Sequence, residues 1–314
     1  MEKTKTLQKG WVVALLAMLC CFLWGSAFPS VKIGYQMFAI GAGDTAGQIL
    51  FAGVRFTLAG ILTVAIGSAL SRKVLVPRRD SWGMVVNLAL AQTIVQYLLF
   101  YIGMAHTSGV KGSILVATNV FITILLSALV FHYEKLTPNK ALGCLLGFAG
   151  VVLINWNGTG LDSSLHLNGE GFVLLSAVSY AVSAVLMKQY SQRENPVTLS
   201  GWQFALGGVV MTAAGLAMGG RLQPSGGAAI LLLVYMALIS AVAYSIWGIL
   251  LKHNPVSRVA VFGFMNPMFG VLLSALLLQE QNQAFTLQGL TALVLVCGGI
   301  YAVNRPGKVA QQQQ

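Results

Sequence analysis

Apolar positions in this chain do not alternate with polar ones. They come in long unbroken runs separated by short polar links. Runs of about 20 apolar residues have the length of a helix that crosses a bilayer. Such runs predict helices over Trp11–Val31, Ile49–Leu70, Trp82–Met104, Gly112–Phe131 and Ala141–Trp156. A second set is predicted over Gly171–Lys188, Val197–Met218, Ala228–Leu251, Val259–Leu278 and Leu287–Val303. The pattern therefore predicts an all-α integral membrane protein with ten transmembrane helices and little room for a soluble domain.

Composition agrees. The chain of 314 residues is 56% hydrophobic and only 9% charged, far below the roughly 25% charged residues of soluble domains. Its net charge of +11 sits between the apolar runs rather than on a basic surface with interleaved aromatics. Nucleic acid is thereby excluded as a partner, and the lipid bilayer takes its place. Cys20, Cys21, Cys144 and Cys297 lie inside apolar runs without metal-ligand or disulfide spacing. No metal and no cofactor is expected. The start of the chain imitates a signal peptide, with Lys3, Lys5 and Lys9 ahead of an apolar run. Its counterpart later in the chain argues for a true span.

That counterpart belongs to a duplication. At an offset of 148, "FAGVRFTLAG" aligns with "LSGWQFALGG", pairing Gly53 with Gly201, Phe56 with Phe204 and Gly60 with Gly208. At 147, Tyr97 meets Tyr244, His106 meets His253 and Asn119 meets Asn266. At 149, Gly150 meets Gly299 and Asn155 meets Asn304. The first helix needs 156, which sets Trp24 on Tyr180, because the Gly34–Gln48 loop is longer. The expected units are residues 1–156 and 157–304, each a five-helix repeat, followed by a cytoplasmic tail at 305–314.

Orientation follows from the basic residues. With the N-terminus cytoplasmic, 15 of the 19 Lys and Arg fall on the cytoplasmic side. Only Lys32, Lys111 and Arg221 fall outside, and Arg55 lies within a span. The positive-inside rule thus places both termini in the cytoplasm of a multi-pass cell-membrane protein. Five helices per unit is odd, so the second repeat is inverted, the arrangement of alternating-access carriers with a midplane site.

Helical spacing selects residues for that site. Gln92, Gln96 and Tyr97 recur on the third helix, Asn119 on the fourth, Tyr180 on the sixth, Gln203 on the seventh, Tyr244 and Trp247 on the eighth, and Asn266 on the ninth. Trp24 and Phe28 lie one turn apart on the first. An unpaired amide in hydrocarbon is costly, which favours a cavity for the Asn and Gln side chains. The Ser and Thr stripes serve equally well as helix contacts. Pro29 and Pro267 interrupt helices one and nine, as tolerated kinks or as hinges. Glu134 and Glu280 follow the fourth and ninth helices and read as solvated or capping groups. His106 and His253 read as interfacial.

Arg55 is the one charge between Ile49 and Leu70. Two readings stand beside each other: a side chain that snorkels to the outer interface, or a cation facing a cavity, where carbonyls, aromatic faces, water or a substrate anion compensate it. Its counterpart is Gln203, polar and uncharged. No Asp or Glu lies within any predicted span, so carboxylate-based proton coupling and cationic substrates are disfavoured. Neither a nucleophile elbow nor a phosphate-binding loop is present, so no enzyme activity is expected. The reading is a carrier of a small amphipathic metabolite, monomeric by default. The alternatives are an uptake carrier and a scaffold that moves nothing.

The segments "FLWGSAFPSVK", "GVRFTLAG", "SALVFHYEKLTPNKALGCLLGFAGVVLI" and "FMNPMFGVLLSALLLQE" with "LQGLTALVLVCGGIYAV" resemble the EamA family of the drug/metabolite transporter superfamily. The resemblance spans nearly the whole chain. It implies ten helices, cytoplasmic termini and a central cavity through which small metabolites, often amino acids, move outward. It also implies a proline in the fourth helix, where this chain reads "ATNVFITIL". Only the second copy keeps one, Pro267.

Overall fold

A computed structural model describes residues 6–41, 43–106, 109–154, 167–277 and 287–305. They form an all-helical bundle. Helix α1 spans Gly10–Met37 and α2 spans Thr45–Ser71. Helix α3 runs through Trp82–Leu88, a π segment Ala89–Val95 and Gln96–Ala105. Helix α4 covers Gly109–Leu125 with a π turn Leu126–Val130, and α5 covers Pro138–Ile154. Helix α6 covers a π turn Leu167–Gly171 and Phe172–Tyr190, α7 Pro196–Ala217 and α8 Gly227–His253. Helix α9 covers Val256–Ala260, a 3₁₀ turn Val261–Phe264 and Met265–Leu277, and α10 covers Leu287–Asn304. Among the described residues, six helices are long and apolar enough to cross a membrane, and three shorter apolar ones accompany them.

Local chemistry sets the ends and breaks. Asp44 caps α2 by accepting from the Gly47 amide at 2.8 Å, and Asn195 caps α7 by accepting from Val197, with Pro196 in the first turn. Helix α1 does not stop at Val31 but passes Pro29 unbroken to Met37. Pro267 has a larger effect. Proline removes one backbone donor and crowds the carbonyl four residues earlier. The turn just before it, Val261–Phe264, tightens to 3₁₀ geometry. The matching stretch of α4 has no proline and stays α-helical.

Two helix pairs form the seams of the bundle. Helices α2 and α7 run antiparallel: Leu50 lies on Gly215, Gly53 on Thr212, Thr57 on Gly208, Gly60 on Ala205 and Val64 on Gly201. The backbones touch. A Cβ at Gly60 would stand 2.3 Å from the Ala205 nitrogen, and one at Gly208 would stand 2.2 Å from the Thr57 nitrogen. Helices α5 and α10 meet the same way through Gly143 on Gly299 and Gly150 on Ala292. Around these seams α1 packs on α8 and α9, and α6 packs on α3 and α4.

The end of the bundle where α1 begins is tied by polar contacts. Gln8 and Asn254 bond the His253 and Leu7 carbonyls, and Lys188 donates to the carbonyls of Lys252 and Asn254. Glu134 is not solvated. Its side chain is 8% exposed, pairs with Lys140 at 2.7 Å, and accepts from Ser127 Oγ and from the amide and hydroxyl of Ser257. It joins the α4–α5 link to the start of α9. Glu194, in the α6–α7 link, is also held. Burial pushes its carboxyl up, but the amides of Asn195 and Arg78 outweigh burial and set it below the usual range. Glu280 lies outside the described residues. A further acid corrects the expectation of acid-free spans: Glu170 is buried in the first turn of α6, ahead of the predicted start. It sits at the end of the bundle, next to Gly169 on the His106 carbonyl, rather than at mid-depth.

Glu134→Ala should lower the melting temperature in detergent by several degrees. It strips the half-buried Lys140 and the Ser257 amide of their carboxylate acceptor, a loss of about 1–3 kcal/mol. Unchanged melting would show that the contact does not hold the links together.

Candidate functional site

The centre of the bundle is a cluster of rings from both halves. Phe56 of α2 stacks on Phe204 of α7 with centroids 5.3 Å apart. Tyr97 of α3 and Tyr244 of α8 join hydroxyls at 3.0 Å. Phe56 lies against Tyr97 at 4.4 Å, and Phe204 against Tyr244 at 4.8 Å. Trp24 of α1 makes edge contacts with Tyr244 and Trp247 at 5.0 and 4.9 Å. Tyr180 packs on the cluster from α6. Rings of this kind prefer edge and offset contacts, each worth about 0.5–1.5 kcal/mol beyond area burial, so the cluster is a firm, largely apolar packing unit.

Arg55 stands at one side of it. The side chain is only 5% exposed. Its Nε donates to the Met236 carbonyl at 3.3 Å and its Nη2 to Ser240 Oγ at 3.1 Å, both on α8. The guanidinium lies 5.1 Å from the Phe56 ring centre. Tyr35, Tyr97, Tyr101 and Tyr244 all lie within reach of its charge. The charge is turned into the bundle, where a carbonyl, a hydroxyl and ring faces solvate it. Among the described residues no carboxylate pairs with it.

Gln92 and Gln203 are brought together rather than spread along a lining. Thr93 Oγ1 donates to Gln203 Oε1 at 2.7 Å, and Gln203 Nε2 donates to Gln92 Oε1 at 3.1 Å. All three are buried. The π segment Ala89–Val95 makes this geometry. One wide turn swings Gln92 and Thr93 toward α7, where Gly207 leaves room for Thr93. The displaced Ala91 carbonyl is taken by Ser179 Oγ of α6 at 2.6 Å.

The other predicted residues fall in different places. Gln96 Oε1, Trp24 Nε1 and Asn266 Oδ1 are buried without hydrogen-bond partners among the described residues. Asn119 and Asn266 sit on α4 and α9, outside the chain of ring and hydroxyl contacts that links α1, α2, α3, α7 and α8. Asn119 is half-buried, and its carbonyl accepts from Thr123. The Phe28 side chain lies outside the described residues. Sequence reasoning missed Phe56, Phe204 and Thr93 as site residues, although the offset pairing Phe56 with Phe204 also pairs Thr93 with Ser240 within one position. The Ser and Thr stripes are mostly spent on their own helices: Ser176, Ser183 and Thr123 bond carbonyls three or four residues back.

Chemically, the arrangement offers a buried cation beside an aromatic surface, with a donor on Trp24 and an acceptor on Gln96 that have no partner among the described residues. Buried polar atoms without partners are rare and costly, so they are natural places for a ligand's own polar groups. Such a surface suits a compact molecule with an anionic group and an apolar body.

Comparison with known proteins bears on the family of the chain. The chain is 30% identical over 311 residues to an uncharacterized transporter of Synechocystis, covering 90% of this chain and 87% of that protein. It is 27% identical to a protein named a probable amino-acid metabolite efflux pump of Escherichia coli, covering 91% and 93%. A solved crystal structure superposes with a TM-score of 0.74 at 18% identity, covering 96% of this chain and 98% of the other, a likeness of fold alone. The sequence profile of the EamA-like transporter family matches residues 11–156 and again 167–305. With two consecutive matches that cover nearly all of its length, this membrane protein belongs to the EamA-like transporter family.

Proposed function

We propose that the chain is a secondary carrier of ten transmembrane helices in two inverted five-helix repeats. Both termini face the cytoplasm. It moves a small amphipathic carboxylate-bearing metabolite, an amino acid or a close relative, outward by alternating access.

The observation that carries the substrate reading is Arg55: a buried guanidinium among aromatic rings, compensated among the described residues by neutral groups. A carboxylate would pair with it more strongly than a hydroxyl does. The name of the Escherichia coli relative points the same way. The inverted repeat is supported by the seams. Gly60 on Ala205 and Gly208 on Thr57 are the same contact with the halves exchanged, as are Gly53 on Thr212 and Gly201 on Val64. Equivalent helices that pack antiparallel about such pairs are what an inverted duplication requires. The excess of basic residues between spans supports the orientation.

Purified protein in liposomes should carry radiolabelled amphipathic amino acids saturably, and unlabelled amino acid on the far side should accelerate the flux. Dicationic solutes should move far more slowly. Flux of dications at the amino-acid rate would overturn the carboxylate reading, and absence of flux for every small metabolite tried would overturn the carrier.

A further inference from the structure

Two hydrogen bonds across the centre of the molecule are copies of one another. Arg55 of α2 donates to Ser240 of α8. Thr93 of α3 donates to Gln203 of α7. Positions 55 and 203 are equivalent at the offset of 148, and positions 93 and 240 at the offset of 147. Each half therefore reaches from its second helix to the same hydroxyl position on the third helix of the other half. The ring cluster lies between the two bonds.

Their positions differ along the bundle. The antiparallel register of α2 on α7 puts Gln203 between the levels of Gly60 and Val64. Arg55 stands about seven residues away along the same helix, roughly 10 Å. The two bonds thus clasp opposite sides of the rings, Arg55 toward the end where α2 begins and Gln203 toward the end where α7 begins.

The α2–α7 seam is held tightly, because its backbones touch at nearly every turn from Leu50 to Gly60. What can part is α8 from α2 at one end and α3 from α7 at the other. Each of those interfaces is closed near the rings by one clasp. The first clasp is charge-assisted and reinforced by the Met236 carbonyl. The second is neutral and reinforced by Gln92.

We propose that these clasps are the two gates of the carrier, opened one at a time, and that Ser240 and Thr93 are their positioning residues. The inference rests on the carrier reading above. In this structure both clasps are closed. A substrate carboxylate competes with Ser240 and the Met236 carbonyl for the guanidinium, so arrival of substrate itself loosens the Arg55 clasp. At the other end no charge is present, and opening there breaks neutral bonds only.

The test reads access rather than flux, so it stands even where no substrate has been found. In a background with the four native cysteines replaced by alanine, one reporter is Ile49→Cys, buried in the ring cluster toward the end where α2 begins. The other is Met187→Cys, buried at the opposite end near Gly248. Labelling by a membrane-impermeant maleimide is followed separately at each. Ser240→Ala should raise the rate at Ile49→Cys about tenfold, the scale of one hydrogen bond to a charged group, and leave Met187→Cys unchanged. Thr93→Val should raise the rate at Met187→Cys about fivefold and leave Ile49→Cys unchanged. Ser240→Thr and Thr93→Ser keep the hydroxyl and should label as the parent does. Equal acceleration at both reporters, no change at either, or failure of the hydroxyl-keeping variants to restore the parent rate would overturn the gate assignment. Size-exclusion profiles identify any variant that has failed to fold, and the hydroxyl-keeping partner then carries the comparison.

Discussion

Arg55→Gln is expected to reduce flux of a carboxylate-bearing substrate by about 30-fold or more while the protein still inserts, folds and runs as a single species. The fold should survive because the replacement already exists in the molecule. Gln203 occupies the equivalent position and bonds Thr93, and a glutamine at position 55 has Ser240 at the matching place. Removing a charge that stood among neutral groups also relieves a desolvation cost. Transport should not survive. A carboxylate that leaves water for the bundle centre must recover its hydration from the site, and losing one member of a desolvated pair costs about 2–5 kcal/mol, which is 30-fold to several thousand-fold in affinity. Arg55→Lys should retain part of the activity with a raised KM, since an ammonium keeps the charge but lacks the planar fork that addresses the Met236 carbonyl and Ser240 in a fixed geometry. Wild-type flux in Arg55→Gln, measured in liposomes at matched protein density, would return Arg55 to the role of an interfacial side chain.

The sequence makes this arginine conspicuous and hides its surroundings. Apolar runs locate the helices because a bilayer fixes their length, and so α2, α7 and α8 are found within a few residues. Helix α1 was expected to end near Val31, since Lys32 and Gly34 read as a link, but the helix goes on to Met37. The π segment of α3 carries no mark in the sequence. It contains neither proline nor glycine, and the Gln203 side chain that Gln92 and Thr93 meet lies over a hundred residues away. Spacing alone placed Gln92 and Gln96 on one stripe, and the wide turn breaks that equivalence. Glu134 reads as a charge in a polar link, and nothing local announces that Ser257 will bury it. Phe56 and Phe204 were legible as matched letters of the duplication. Their meaning as a stacked pair needed the seam that brings equivalent residues face to face.

That seam yields the second large effect. Gly208→Leu should abolish recovery of folded protein, and Gly60→Ala and Gly208→Ala should each destabilise it by roughly 1–3 kcal/mol, the usual cost of overpacking. The reason is what the new atoms would strike. A Cβ at Gly208 would stand 2.2 Å from the Thr57 nitrogen and 2.7 Å from the Phe56 carbonyl carbon. A Cβ at Gly60 would meet the Ala205 nitrogen and the Gly201 oxygen. These are backbone atoms and cannot rotate away, so α2 and α7 must move apart. Separation opens the stack of Phe56 on Phe204 and withdraws Arg55 and Gln203 from α8 and α3, and the damage therefore spreads to both sides of the ring cluster. In a membrane, small residues let helices gain van der Waals contact where no hydrophobic force draws them together, so little else compensates. Gly298→Ala is the control: it lies in α10 with open space around the added methyl, and it should melt with the parent. If Gly208→Ala melted with it as well, close backbone approach would not be what joins the two halves, and the symmetric seam would lose its role in holding the site.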